Sequence, residues 1–300
     1  MKTLDNLNYV FSKDNEPVYT AQPGEILCFK TADCFANQVQ DESFTMDKLD
    51  LTKSNPTAGP VYIEGAQPGD VLVVDILDIS IADKGFACSI PGVGPLAETS
   101  EMRTRVFDIV NGYVTFHGLQ WKVQPMIGVI GLAPEEGDIA CGFAHQHGGN
   151  LDSKKIAKGA RVYLPVKHAG GLLQLGDLHA NMGDGEISGT GIEVAGEVIA
   201  KVDVIKDFEL HWPVTETTDH WYVNGIGKDF SEAYLNATRE LARLMKSAYP
   251  MDDTDIYIYL SIQGDAEINQ YVHPVEGEMP SVRFGVPKSP GTLPLIQSLR

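Results

Sequence analysis

The hydrophobic pattern of this chain changes period near residue 228. Before that point Val, Ile, Leu and aromatic residues fall in short alternating or continuous runs punctuated by Gly and Pro, the pattern of many short strands joined by tight turns. The runs predict strands over 26–32, 71–79, 105–110, 113–117, 162–166 and 172–175, and a long one over 192–205. Further strands are predicted over 211–214, 221–226 and 282–286. Spacing of this kind predicts a mainly β fold, a sandwich of two sheets.

After residue 228 the period becomes helical. Phe230, Ala233, Tyr234, Ala237, Leu241, Leu244 and Met245 recur at steps of three and four, Asp229 and Glu232 fit a capping box, and Pro250 lies just beyond the end. The next segment, 252–262, carries both periods. Ile256, Ile258, Leu260 and Ile262 alternate as in a strand, while Ile256, Tyr259 and Leu260 fit a helix begun by Asp252, and the reading favours the helix. No composition break marks a linker, so one domain is expected over 1–300, with a helical elaboration from about 228 to 262 in the C-terminal third.

One short pattern occurs twice. Gln22-Pro-Gly-Glu-Ile-Leu27 recurs as Gln67-Pro-Gly-Asp-Val-Leu72, and both read as a Pro-Gly turn feeding a strand. Either a common turn solution is used twice, or the two strands are equivalent members of a duplicated sheet.

Charge narrows the function classes. With 23 Lys and Arg against 41 Asp and Glu the net charge is −18, which opposes binding to nucleic acid or to an anionic membrane. The N-terminus shows no apolar run of signal-peptide length, and the most apolar stretch, 71–81, is broken by Asp75 and Asp78. The expectation is therefore a cytoplasmic protein without a membrane partner. Four cysteines, Cys28, Cys34, Cys88 and Cys141, form no C-x-x-C pair and read as reduced, mostly buried thiols.

Candidate chemistry concentrates between residues 141 and 193. His145, His147, His168 and His179 fall within it, with Asp152, Asp177, Asp184, Glu186 and Glu193 and a high density of glycine. Neutral imidazoles and ionised carboxylates are ordinary ligands of divalent cations, and His145-Gln-His147 and Asp177-Leu-His179 each place two such groups at i and i+2, on one face of a strand. Such a cation would acidify a bound water and polarise a carbonyl oxygen, so that an amide or ester could be hydrolysed without a side-chain nucleophile. Glu186, at the end of the Gly-Asp-Gly turn, is the candidate for moving the water's proton, and it could equally be a ligand. Asp184 reads as the residue that fixes the turn through nearby backbone N–H groups. The chain has no dinucleotide fingerprint, no phosphate loop, no H-E-x-x-H helix and no G-x-S-x-G elbow.

These motifs together resemble the acetamidase/formamidase family of amide hydrolases. The resemblance rests on His147-Gly-Gly-Asn-Leu-Asp152, on Tyr163-Leu-Pro-Val166 followed by Gly170-Gly-Leu-Leu, and on Gly176-Asp-Leu-His-Ala-Asn-Met-Gly-Asp-Gly-Glu186 leading to Gly189-Thr-Gly-Ile-Glu193. Pro68-Gly-Asp70 and Ile127-Gly-Val-Ile-Gly131 extend it upstream. It implies hydrolysis of short aliphatic amides such as formamide or acetamide, a CUB-like or jelly-roll type of sandwich, and a homo-oligomer, with a dimer favoured. The residues themselves point to a divalent metal, zinc foremost, and several oxygen ligands beside only two or three histidines leave room for a second, harder ion such as calcium. By matching motifs the resemblance implies Asp33, His147, Asp177 and His179 as metal ligands, and Glu186, Asn150 and Asp152 as catalytic residues. The sequence departs from the family pattern at Leu178, where a glycine is common, at Asn181-Met182, and in the stretch before His147. Two other functions are open: a β-sandwich in which the same carboxylates and histidines bind a metal or ligand without turnover, and an amidase with Cys141 as nucleophile.

Overall fold

The structure, a computed structural model, describes residues 1–272 and 279–297. It is mainly β, with two α-helices near the C-terminal end, as the pattern predicts. Among the described residues the larger strands form two sheets. One has nine strands, in which Gly196–Ile205 lies between Ile26–Thr31 and Val71–Ile81, and from Val71–Ile81 it runs through Arg161–Pro165, Val214–Glu216, His220–Ile226 and Ser281–Pro287 to Asp265–Gln270. The other centres on Leu173–His179, which pairs with Met126–Gly131, Thr57–Ile63 and Glu193–Val194. No helix among the described residues is long and apolar enough to cross a membrane.

The twice-used Pro-Gly pattern has one explanation at both levels. Gly24 and Gly69 take positive φ, and the acid after each glycine accepts from the backbone N–H of the turn's glutamine, Glu25 from Gln22 at 3.0 Å and Asp70 from Gln67 at 2.7 Å. The strands that follow, Ile26–Thr31 and Val71–Ile81, lie on either side of Gly196–Ile205 and both run antiparallel to it. The same turn therefore feeds two matching positions in one sheet.

The long hydrophobic run over 192–205 is not one strand. Glu193–Val194 belongs to the second sheet and Gly196–Ile205 to the first, so the chain changes sheets at Ala195. A Cβ at Gly196 would strike the Ser80 carbonyl and the Leu178 side chain, which is why glycine stands at the crossing. The segment after Val71–Ile81 crosses beside it, tied by Ala82 N–H to the Ala195 carbonyl at 2.9 Å, and continues as Lys84–Ser89 in the second sheet. Leu178 is buried there, in the main core. The strand predicted over 211–214 starts only at Val214, because Pro213 offers no N–H to a ladder.

Helix α1 (Phe230–Ala248) starts where the capping box places it: Asp229 accepts from Glu232 N–H at 2.9 Å, and the Glu232 carboxylate accepts from Lys228 N–H at 2.9 Å. It buries Ala233, Ala237, Leu241 and Leu244 against the His220–Ile226 and Ser281–Pro287 strands. Helix α2 (Asp253–Gln263), capped by Asp252, buries only Ile256 and Leu260 and leaves Tyr257, Ile258 and Ile262 exposed, the physical source of its mixed period.

Candidate active site

The site lies where the two sheets meet. The Leu173–His179 strand carries Asp177 and His179, the Glu193–Val194 strand beside it carries Glu193, and the turn after Ile26–Thr31 carries Asp33 and Cys34. Asp177 stands at φ 57°, Asp152 at 46° and Glu186 at 46°, so three of the acids hold a left-handed backbone that side-chain-bearing residues seldom adopt. Backbone strain and buried charge thus coincide.

His179 is the centre of the cluster. Its Nε2 lies 3.2 Å from Glu193, 3.6 Å from Asp177 and 3.8 Å from Glu186, and all four side chains are buried. Its Nδ1 faces Gly191, where a Cβ would come within 2.9 Å. Ligand-type atoms of Asp152, His179 and Glu186 lie within 4.8 Å of one another, and those of Cys34, Asp177 and Glu193 do the same. Gly128 makes room for this convergence: a Cβ there would meet Asp152 Oδ1 at 2.6 Å and Asp177 Oδ2 at 2.8 Å. Asn55 donates to Asp177 Oδ2 at 2.9 Å and sets its orientation.

Crowding of like charge shows in the titration of the acids. Burial, and next the charge of Asp152, hold Glu186 well above the usual carboxylate range. Burial pushes Glu193 up to about 7, with Asp177 adding and His179 opposing. Burial alone would lower His179, but Glu193 and Asp177 outweigh it and hold the imidazole well above its ordinary value. Asp33 is pushed up to about 6 by burial, against hydrogen bonds from the Phe35 and Asn37 N–H groups at 3.0 and 2.8 Å. No Lys or Arg forms an ion pair with Asp177, Glu186 or Glu193 among the described residues. An array of buried carboxylates around one imidazole nitrogen is stable with protons or with a cation in the middle, and its O, N and S donors suit a divalent metal.

The structure therefore brings together Asp152, Asp177, His179 and Glu186 of the residues proposed from sequence. Asp33 adjoins them, with one carboxylate oxygen committed to its own turn. His147 lies elsewhere. The backbone carbonyl of His147 pairs with Leu132, while Asp152 pairs with Gly128; four strand positions separate them, about 13 Å at 3.3 Å per residue. His147 packs edge-on against Phe11, has no hydrogen-bond partner on either ring nitrogen among the described residues, is pushed down to about 3 by burial, and borders a cleft of about 410 Å³ with His145, Glu135, Glu136 and Lys167. Asn150 borders a void of about 10 Å³, room for one water, with Gly142, Phe143 and Gln270.

Two further readings are settled by contacts. The Asp184 carboxylate does not bond the backbone of its turn; it accepts from Arg283 at 2.8 Å and Lys154 at 2.9 Å. The Cys141 thiol is fully buried against Phe11 and Val129, touches the Thr57 hydroxyl, and is pushed up to about 12 by burial, the state of a packing residue. Sequence reasoning gave no role to Glu193, Cys34, Asn55 or Gly128. Of these only Glu193 had a signal, the close of a Gly-rich acidic stretch.

Known proteins show the same arrangement of chain. The sequence profile of the Acetamidase/Formamidase family matches residues 5–139 and 142–273. A formamidase of Methylophilus methylotrophus is 31% identical over 247 residues, 62% of this chain and 61% of the relative, so the chain spans about three fifths of that relative's length. Among solved structures, a predicted acetamidase/formamidase of Thermoanaerobacter tengcongensis superposes with a TM-score of 0.91 at 41% identity, covering 95% of each chain. An acetamidase of Bacillus halodurans superposes with a TM-score of 0.91 at 37% identity, covering 95% of this chain and 97% of its own. With that profile match, that sequence identity and a fold shared over nearly its whole length, the chain belongs to the acetamidase/formamidase family.

Proposed function

We propose that the chain hydrolyses the C–N bond of small linear amides, formamide and acetamide foremost, to the carboxylate and ammonia. The observation that carries this reading is the convergence of Asp152, His179 and Glu186 inside a ring of buried acids. In this reading Asp152 and His179 hold a divalent cation beside Glu186, zinc by the mixture of imidazole and carboxylate, with Asp177 and Glu193 offering oxygen donors to a second, harder ion such as calcium. When bound, the cation supplies Lewis acidity, polarising the amide carbonyl and lowering the pKa of water beside it.

The residues do the rest. Glu186 accepts a proton from the attacking water and returns it to the amide nitrogen as the C–N bond breaks, so that nitrogen leaves as ammonia. Glu193 and Asp177 hold the imidazole of His179, and Asn55 holds Asp177. Burial keeps bulk water away, which strengthens each of these interactions. The same reading includes a cytoplasmic homo-oligomer, a dimer foremost; the exposed apolar Val110, Phe116 and Leu119 on and beside the Tyr113–Phe116 and Leu119–Lys122 hairpin would favour association.

Ammonia release from formamide and acetamide, measured before and after chelator and paired with elemental analysis of the purified protein, tests it. Turnover that falls with chelation and returns with zinc is the expected result. A protein that binds metal stoichiometrically and releases no ammonia from any short amide is instead a binding protein.

A further inference from the structure

A polar network with no solvent contact runs from the nine-stranded sheet to the backbone on which two of the site acids stand. Asn224, Asn269, Ser281 and Arg283 are each fully buried. Asn269 Nδ2 donates to Ser281 Oγ and to Asn224 Oδ1, both at 3.1 Å, and Arg283 Nη1 donates to Asn269 Oδ1 at 2.8 Å. Arg283 also pairs with Glu267. The network has two outlets. Ser281 Oγ donates to the carbonyl of Leu151 at 3.0 Å, the residue before Asp152. On the other side the Asn269 carbonyl accepts from Gly185 N–H at 2.8 Å, Tyr271 N–H donates to the Gly185 carbonyl at 3.0 Å, and Arg283 Nη2 holds the Asp184 carboxylate at 2.8 Å, all in the two residues before Glu186. Lys154 reaches Asp184 at 2.9 Å and ties the two outlets together.

We propose that Asn269, Ser281 and Arg283 are positioning residues, holding the peptides before Asp152 and Glu186 so that both acids keep a left-handed backbone and aim at His179. A left-handed aspartate or glutamate is strained and persists only where its surroundings over-determine it. Both strained acids have neighbours fixed by this one network. A stability role alone would be served as well by apolar side chains, since burying an arginine and three polar groups costs desolvation that packed hydrocarbon avoids. The polar atoms are instead spent on two peptides thirty-four residues apart in sequence that must come to one point, Leu151 and Gly185.

The inference rests on the amidase reading, and its experiment has an arm that does not. Ser281→Ala removes one hydroxyl, and Arg283→Lys keeps the buried charge but loses the fork that spans Asn269 and Asp184. In crystal structures of the two variants, Asp152 in the first and Glu186 in the second are expected to leave the left-handed region. With acetamide, kcat is expected to fall roughly 10–100-fold, the range for partners that orient a site residue, while KM changes little. In an Asp152→Asn background Ser281→Ala is expected to add no further loss, since it acts through Asp152. Unchanged backbone angles overturn the inference, and so does a variant that no longer folds, which would make the network part of the sheet's scaffold. A wild-type protein with no amidase activity defeats the function instead, and the crystallographic arm still decides the positioning.

Discussion

Two regions that the sequence joins are separate in the molecule. His145 and His147 sit beside a cleft with acidic and basic side chains around its rim, whereas His179 lies in a closed cluster of acids. Both regions pair histidine at i and i+2 with a ligand-type residue. They differ in what the histidine faces. His147 packs against Phe11, and burial leaves it neutral; His179 points Nε2 at three carboxylates. A ligand-like spacing is a necessary condition that the surroundings then either use or leave idle.

The comparison is tested most severely by removing each histidine. His179→Ala is expected to lose bound metal and to lower kcat/KM more than about 10³-fold, because the cation's imidazole ligand goes with it. Asp177→Ala should do nearly the same. Glu186→Gln is the next largest. Keeping its size and one oxygen, it should retain metal while the rate falls roughly 10²–10⁴-fold, if Glu186 moves the proton. Metal loss in that variant would make Glu186 a ligand. His147→Ala should keep full metal content and most of its turnover, with a lowered melting temperature as the cost of the hole beside Phe11. Loss of metal from His147→Ala, measured by elemental analysis, would rejoin the two regions into one site.

The smallest effect is expected at Cys141. Cys141→Ser should leave turnover intact, and the native thiol should resist alkylation at pH 8, since burial raises it to about 12. The sign of the linked stability follows. The folded thiol stays protonated above 9, its ordinary value, while the unfolded chain ionises there, so this group withdraws stability as pH rises from about 9 toward 12. A Cys141→Ser protein should show a weaker alkaline fall in melting temperature than the parent.

How much was legible depends on whether the signal was local. Helix α1 was, because Asp229, Glu232 and the apolar stripe are all within one segment. Thr57–Ile63 and Met126–Gly131 were not read as strands: Gly59 and Pro60 interrupt the hydrophobic pattern of the first, and Gly128 and Gly131 that of the second. The glycine that obscured the second strand, Gly128, is the one that admits Asp152 and Asp177. Asp152, Asp177, His179 and Glu186 were legible as a dense stretch of acids, histidine and glycine. Cys34 was not, since it stands 159 positions before Glu193 in sequence and only the fold brings the two together. Glu193 was visible at the close of that stretch but not as a partner of His179, because the change of sheets at Ala195 leaves no mark in the hydrophobic pattern over 192–205.

The crossing at Ala195 has a consequence for the order of events in folding. The acids that meet at His179 come from positions 152, 177, 186 and 193, with Cys34 from the far end of the chain, so the cluster closes only after the loops between them have closed. Pairings of such high sequence separation form slowly, because loop entropy is lost before the contacts are made. A nascent chain released before residue 196 lacks the strand that joins Ile26–Thr31 to Val71–Ile81, and with it the anchor that brings Glu193 to the crossing. On the proposed function, cation capture is expected among the last steps of maturation, and a metal-sensitive probe should report it after the far-ultraviolet signal of the sheets is complete.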